Sequence, residues 1–103
     1  MTALSEIRKA EFLRRLRHFI EEHTQRVPEE DALAGLFERG LTYGLVSEQQ
    51  FAGYIMLSWQ MGVRPPAPDP KWIAEVMNDS SRSPEGKIEN LYIRVSSRIV
   101  GLA

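Results

Sequence analysis

Three prolines in four residues, Pro65, Pro66 and Pro68, forbid a helix through this part of the chain. Each fixes φ near −65° and removes a backbone donor, so Val63-Arg64-Pro65-Pro66-Ala67-Pro68 reads as a stiff, extended connector. Helical punctuation surrounds it on both sides. The expected fold is therefore all-α: about five helices in one compact domain spanning 1–103, with a proline-rich connector between the third and fourth.

The segment before the connector has the clearest start. Ser47-Glu48-Gln49-Gln50 is a capping box, with Ser47 as N-cap and Gln50 at N3. Val46 and Phe51 stand where a hydrophobic staple forms. The third helix is placed at Glu48 to Met61, and Gly62 supplies the left-handed residue that closes it.

Upstream, Phe12, Leu13, Leu16, Phe19, Ile20 and His23 share one stripe of a helix from about Ser5 to Arg26. Leu4 and Ile7 fall off that stripe, through a bend or as cover for a separate surface. A second helix runs from Pro28 to about Tyr43, with Pro28 in its first turn and Glu29, Glu30 and Asp31 at the positive end of its dipole. Leu33, Leu36, Phe37 and Leu41 form its stripe, and Gly44 ends it.

Downstream, Asp69-Pro70 reads as cap and first turn of a short fourth helix carrying Trp72, Ile73, Val76 and Met77 to about Asn78. Ser83-Pro84-Glu85 repeats the signature, and Ile88, Leu91, Tyr92, Val95 and Ile99 follow helical spacing to Gly101. Leu91, Ile93 and Val95 also fit a strand, but the longer match is helical.

Composition removes several function classes. Thirteen basic and fourteen acidic residues leave a net charge of −1, so no strong field draws nucleic acid or an anionic membrane. Without cysteine there is no disulfide, thiol nucleophile or thiolate-bound metal. No apolar region of signal-peptide kind follows Met1, and no run approaches a membrane span, so a cytoplasmic location is expected.

The chemistry-bearing residues do not converge. His18 and His23, five apart, lie on different helix faces, so they do not make the zinc pair that a spacing of four provides. His18 with Glu22, and the run Glu29-Glu30-Asp31, read as solvated polar groups more readily than as ligands. The glycines are isolated, and no serine sits in a nucleophile elbow. Arg8, Lys9, Arg14, Arg15 and Arg17 alternate with Glu6, Glu11, Glu21 and Glu22, a pattern of i,i+4 pairs. A helix-turn-helix across Gly44 to Ser47 has the right length, but its second helix offers no Lys or Arg to DNA. No catalytic residue, metal or cofactor is expected, and the protein is read as a non-enzyme.

The third helix is apolar nearly all round. Phe51, Ile55 and Trp59 make one stripe, and Tyr54, Leu57 and Met61 a second. Either it is the buried central helix, or a partner covers the second stripe. On the latter reading Tyr54, Leu57, Met61, Trp72 and Trp59 are candidate partner-binding residues. The expected partner is another protein, not nucleic acid, membrane or a small-molecule substrate.

The stretch Thr42 to Ile73, with Tyr43-Gly44-Leu45, Ser47-Glu48, an aromatic-rich helix, Gly62 and a proline link into Pro70-Lys71-Trp72-Ile73, resembles small helical accessory proteins of type VI secretion effector modules in Gram-negative bacteria. Within that group it is most similar to the co-chaperone of a TecT-type effector chaperone. The resemblance covers about a third of the chain and brings no catalytic residue. It implies an adaptor that binds a secretion chaperone or effector. An immunity-type protein that neutralises a toxin is the alternative, and a helix-turn-helix regulator a third.

Overall fold

The structure, a computed structural model, describes residues 6–102, with side chains from 8 to 99. Five helices follow one another: α1 (Glu6–Thr24), α2 (Glu30–Thr42), α3 (Glu48–Gln60), α4 (Lys71–Met77) and α5 (Pro84–Leu102). Leu4 and Ser5 lie outside the described residues, as does the side chain of Ile7. Among the described residues there is no strand, and Leu91, Ile93 and Val95 all belong to α5. No helix among them is long and apolar enough to cross a membrane.

α3 is the central element, packed against α1, α2 and α5, while α4 packs on α5. The core gathers Leu16 and Ile20 from α1, Leu33, Leu36 and Phe37 from α2, and Phe51, Tyr54, Ile55 and Trp59 from α3. Ile73, Val76 and Met77 of α4, Leu91 and Val95 of α5, and Phe12, Leu45 and Val63 complete it. Phe37 and Phe51 stack with centroids 4.4 Å apart, joining α2 to α3. Side chains of this size contribute about 1.5–3 kcal/mol each when fully buried. The radius of gyration, 13.1 Å, matches the roughly 13 Å of a compact chain of about 100 residues.

The caps explain the boundaries. Ser47 Oγ accepts from the Gln50 amide at 3.1 Å, and Gln50 Oε1 accepts from the amides of Ser47 and Val46 at 3.3 and 2.9 Å. The capping box is thus complete, although Val46 itself stays exposed and the staple is not closed. Gly44 and Gly62 both adopt φ of +87°, the left-handed turn after α2 and α3. Ser83 Oγ accepts from the Gly86 amide at 3.1 Å and caps α5.

Four boundary and stripe expectations are corrected. α1 ends at Thr24 because Gln25 takes φ of 61°, a left-handed turn that glutamine does not advertise. Pro28 is buried ahead of α2, whose extended N-cap is Glu29. α4 begins after Pro70, and Asp69 does not cap it. Leu41, Phe19, Tyr92 and Ile99 sit on exposed faces, because each helix buries a narrower stripe than its apolar pattern allows.

Candidate functional site

Asp69 faces inward instead of capping α4, and its side chain is 1% exposed. Arg39 Nη1 donates to Oδ1 at 2.6 Å, while the hydroxyls of Tyr43 and Tyr54 donate to Oδ2 at 2.7 and 2.8 Å. Arg39 Nη2 also donates to the Ala67 carbonyl at 2.9 Å, so α2 grips the connector twice. Burial, and then the adjacent Asp69 carboxylate, push both tyrosine hydroxyls well above their ordinary range. Three donors on one buried carboxylate make a positioning node: the proline connector leaves α3 in a fixed direction because Asp69 is held there.

This node corrects the reading of the second α3 stripe. Tyr54 is 0% exposed and Trp59 3% exposed, so neither forms part of an open binding surface. The reason is that α1, α2 and α5 surround α3 and bury its first stripe and Tyr54 of its second, leaving Leu57 and Met61 partly exposed. The indole of Trp59 lies under the guanidinium groups of Arg26 and Arg64, at 5.1 and 4.4 Å from the ring centroid. Met61 and Trp72 are half-buried against the core, and Arg98 covers the Trp72 ring at 3.8 Å.

Leu57 alone of the five candidates opens onto a groove. The groove lies between α3 and the N-terminal half of α5 and encloses about 760 Å³. Met56 and Leu57 form its α3 wall, and Ile88, Tyr92 and Ile93 its α5 wall. Gln49 and Gln60 stand at the α3 rim, Glu85 and Glu89 at the α5 rim. Tyr92 and Ile93 are 61% and 63% exposed, adjacent on the helix and outside the buried Leu91–Val95 stripe. Sequence reasoning missed this surface, although the run Leu91-Tyr92-Ile93 carries more apolar residues than one stripe needs.

The helices approach closely at the groove floor because residue 53 is glycine. A β-carbon there would stand 2.7 Å from Ile88 Cγ2. Gly53 therefore fixes both the spacing of the two walls and the depth between them.

The remaining candidates are dispersed. His18 Nε2 and Glu22 form an exposed pair at 3.4 Å on α1. Three basic residues of α1 pair across helices: Lys9 with Glu38, Arg15 with Glu48 at 3.3 Å, and Arg17 with Glu30 at 3.5 Å. Among the described residues, no group of three or more His, Cys, Asp or Glu is placed to hold a metal ion. α3, which a helix-turn-helix would lay in a DNA groove, is buried along Phe51, Tyr54, Ile55 and Trp59. Comparison with family models, curated proteins and solved structures finds no match to this chain.

Proposed function

We propose that this protein is a non-enzymatic accessory factor that binds another protein in the α3–α5 groove. The observation that carries this reading is the pair Tyr92 and Ile93, more than half exposed beside Met56 and Leu57. Contiguous apolar surface rimmed by polar groups is what docking sites offer, and tyrosine is enriched among interface anchors. The resemblance to type VI secretion accessory proteins supplies the class of partner: a secretion chaperone or its effector. Under the alternative, immunity-type reading the same groove would grip a toxin.

The test uses Tyr92→Ala and Ile93→Asp, two exposed positions whose loss leaves the core intact. Expected is loss of the neighbouring chaperone or effector from the purified tagged chain, with melting temperature nearly unchanged. Retention of the partner by both variants would remove the groove from consideration. Deleting the gene should lower effector secretion. Sensitivity to a sibling cell's toxin, with secretion intact, would establish the immunity-type role instead.

A further inference from the structure

The groove's shape and charge narrow what can occupy it, given that it is a docking surface. Its α3 side runs from Ser47 to Gln60, roughly 20 Å at 1.5 Å per residue. Its α5 side runs from Glu85 to Ile93, roughly 12 Å on the same rise. The shorter side accommodates about two turns of an incoming helix at about 5.4 Å per turn, and the longer α3 side leaves room for a third.

Both walls are helices whose backbone groups bond within themselves, so the groove presents side chains and no sheet edge. An extended segment would lay its N–H and C=O groups against Met56, Leu57 and Ile88 without partners, at a cost of about 1–3 kcal/mol for each group left unsatisfied. A helix satisfies those groups internally and turns only side chains to the wall.

Charge selects among helices. Glu85 and Glu89 stand one turn apart on the same rim, both exposed. Among the described lining residues there is no Lys, Arg or His, and the other polar ones are neutral. The whole chain carries a net charge of only −1, so this acidity is a local property of the rim. A second copy docked with its two-fold axis across the groove would bring the glutamates of both copies to one seam, where like charges repel, and one docked with the axis along the groove would leave them facing neutral glutamines with no countercharge.

We propose that the groove receives an amphipathic helix of two to three turns whose apolar anchors face Met56, Leu57, Tyr92 and Ile93 and whose flank carries Lys or Arg toward Glu85 and Glu89. This deepens the docking reading above and rests on it.

The experiment pans displayed random peptides of about 16 residues, enough for four helical turns, on the full chain, with Ile93→Asp as counter-selection. Expected are peptides that lose binding to Ile93→Asp, with helical apolar spacing and an excess of Lys and Arg. Synthesised singly, they should gain helix on binding. Their affinity should fall about tenfold when Glu85→Gln and Glu89→Gln are combined, further with Glu89→Lys, and with added salt. Melting curves of each variant separate lost charge from lost fold. Groove-dependent peptides that are acidic, or indifferent to the glutamates, would overturn this inference and leave the docking reading standing. Selected peptides that bind Ile93→Asp equally well, or no enrichment at all, would overturn both. A dimer in solution that Ile93→Asp converts to monomer would make the occupant a second copy and overturn the basic-helix assignment.

Discussion

The hydroxyl of Tyr54, in the middle of α3, donates to Oδ2 of Asp69 at 2.8 Å, two residues before α4 begins. One hydrogen bond thus joins the central helix to the far end of the proline connector. Tyr54→Phe removes this donor and keeps the ring, and should lower unfolding free energy by about 1–3 kcal/mol. Tyr54→Ala also empties ring volume from the core and should cost about 3–5 kcal/mol. Urea midpoints measure both. A melting temperature unchanged by Tyr54→Ala would contradict the interior placement.

Removing the acceptor should cost more than removing one donor. Asp69→Ala strands the Arg39 guanidinium and both hydroxyls, and should destabilise by about 3 kcal/mol, the lower end for a broken buried pair because Arg39 still reaches solvent. With Arg39→Ala added, the second loss should be smaller than it is alone. Additive losses in this double-mutant cycle would mean that the two residues do not act as a pair.

Alkaline pH should act through the same node. Tyr43 and Tyr54 keep their protons in the fold well above the ordinary value of 10.0, raised by burial and then by Asp69. The unfolded chain ionises near its ordinary value, so above it the unfolded state binds fewer protons than the native one. Their contribution to stability is therefore whole below about pH 10 and declines as pH rises beyond it. A Tyr43→Phe, Tyr54→Phe double variant should show a shallower decline. Equal slopes for the two proteins would rule out this linkage.

The groove floor offers a fourth measurement. Gly53→Ala gains about 0.8–1 kcal/mol of helix propensity but drives a methyl against Ile88, an overpacking that costs about 1–3 kcal/mol. A net loss of about 1 kcal/mol is expected from these two magnitudes. Combined with Ile88→Ala, the sign should reverse, because the obstructing branch is gone. Chemical denaturation of the four proteins in the cycle decides it.

Local chemistry made much of this fold legible. The Ser47–Gln50 capping box and the glycines after α2 and α3 act within a few residues, and their reading transfers directly to the structure. Asp69 shows where that reading stops. An aspartate before a proline is a sound N-cap on local grounds, but Arg39, Tyr43 and Tyr54 arrive from two other helices and outbid the backbone. The two apolar stripes of α3 were ambiguous for a related reason. One helix pattern does not say how many neighbours surround it, and here there are enough to bury Tyr54 as well as Phe51. The groove joins Leu57 to Tyr92 and Ile93, residues that only the packing of α5 brings together.

The two walls of the groove are not equally anchored. α3 is wedged among three helices, whereas α5 leans on α3 and α4 and is tethered to the end of α2 by Lys87, whose ammonium donates to the Tyr43 carbonyl at 3.1 Å. The less enclosed wall is the one that carries Glu85, Glu89, Tyr92 and Ile93, although Leu91 and Val95 root it in the core. An occupant of the groove would thus load the same helix that selects it.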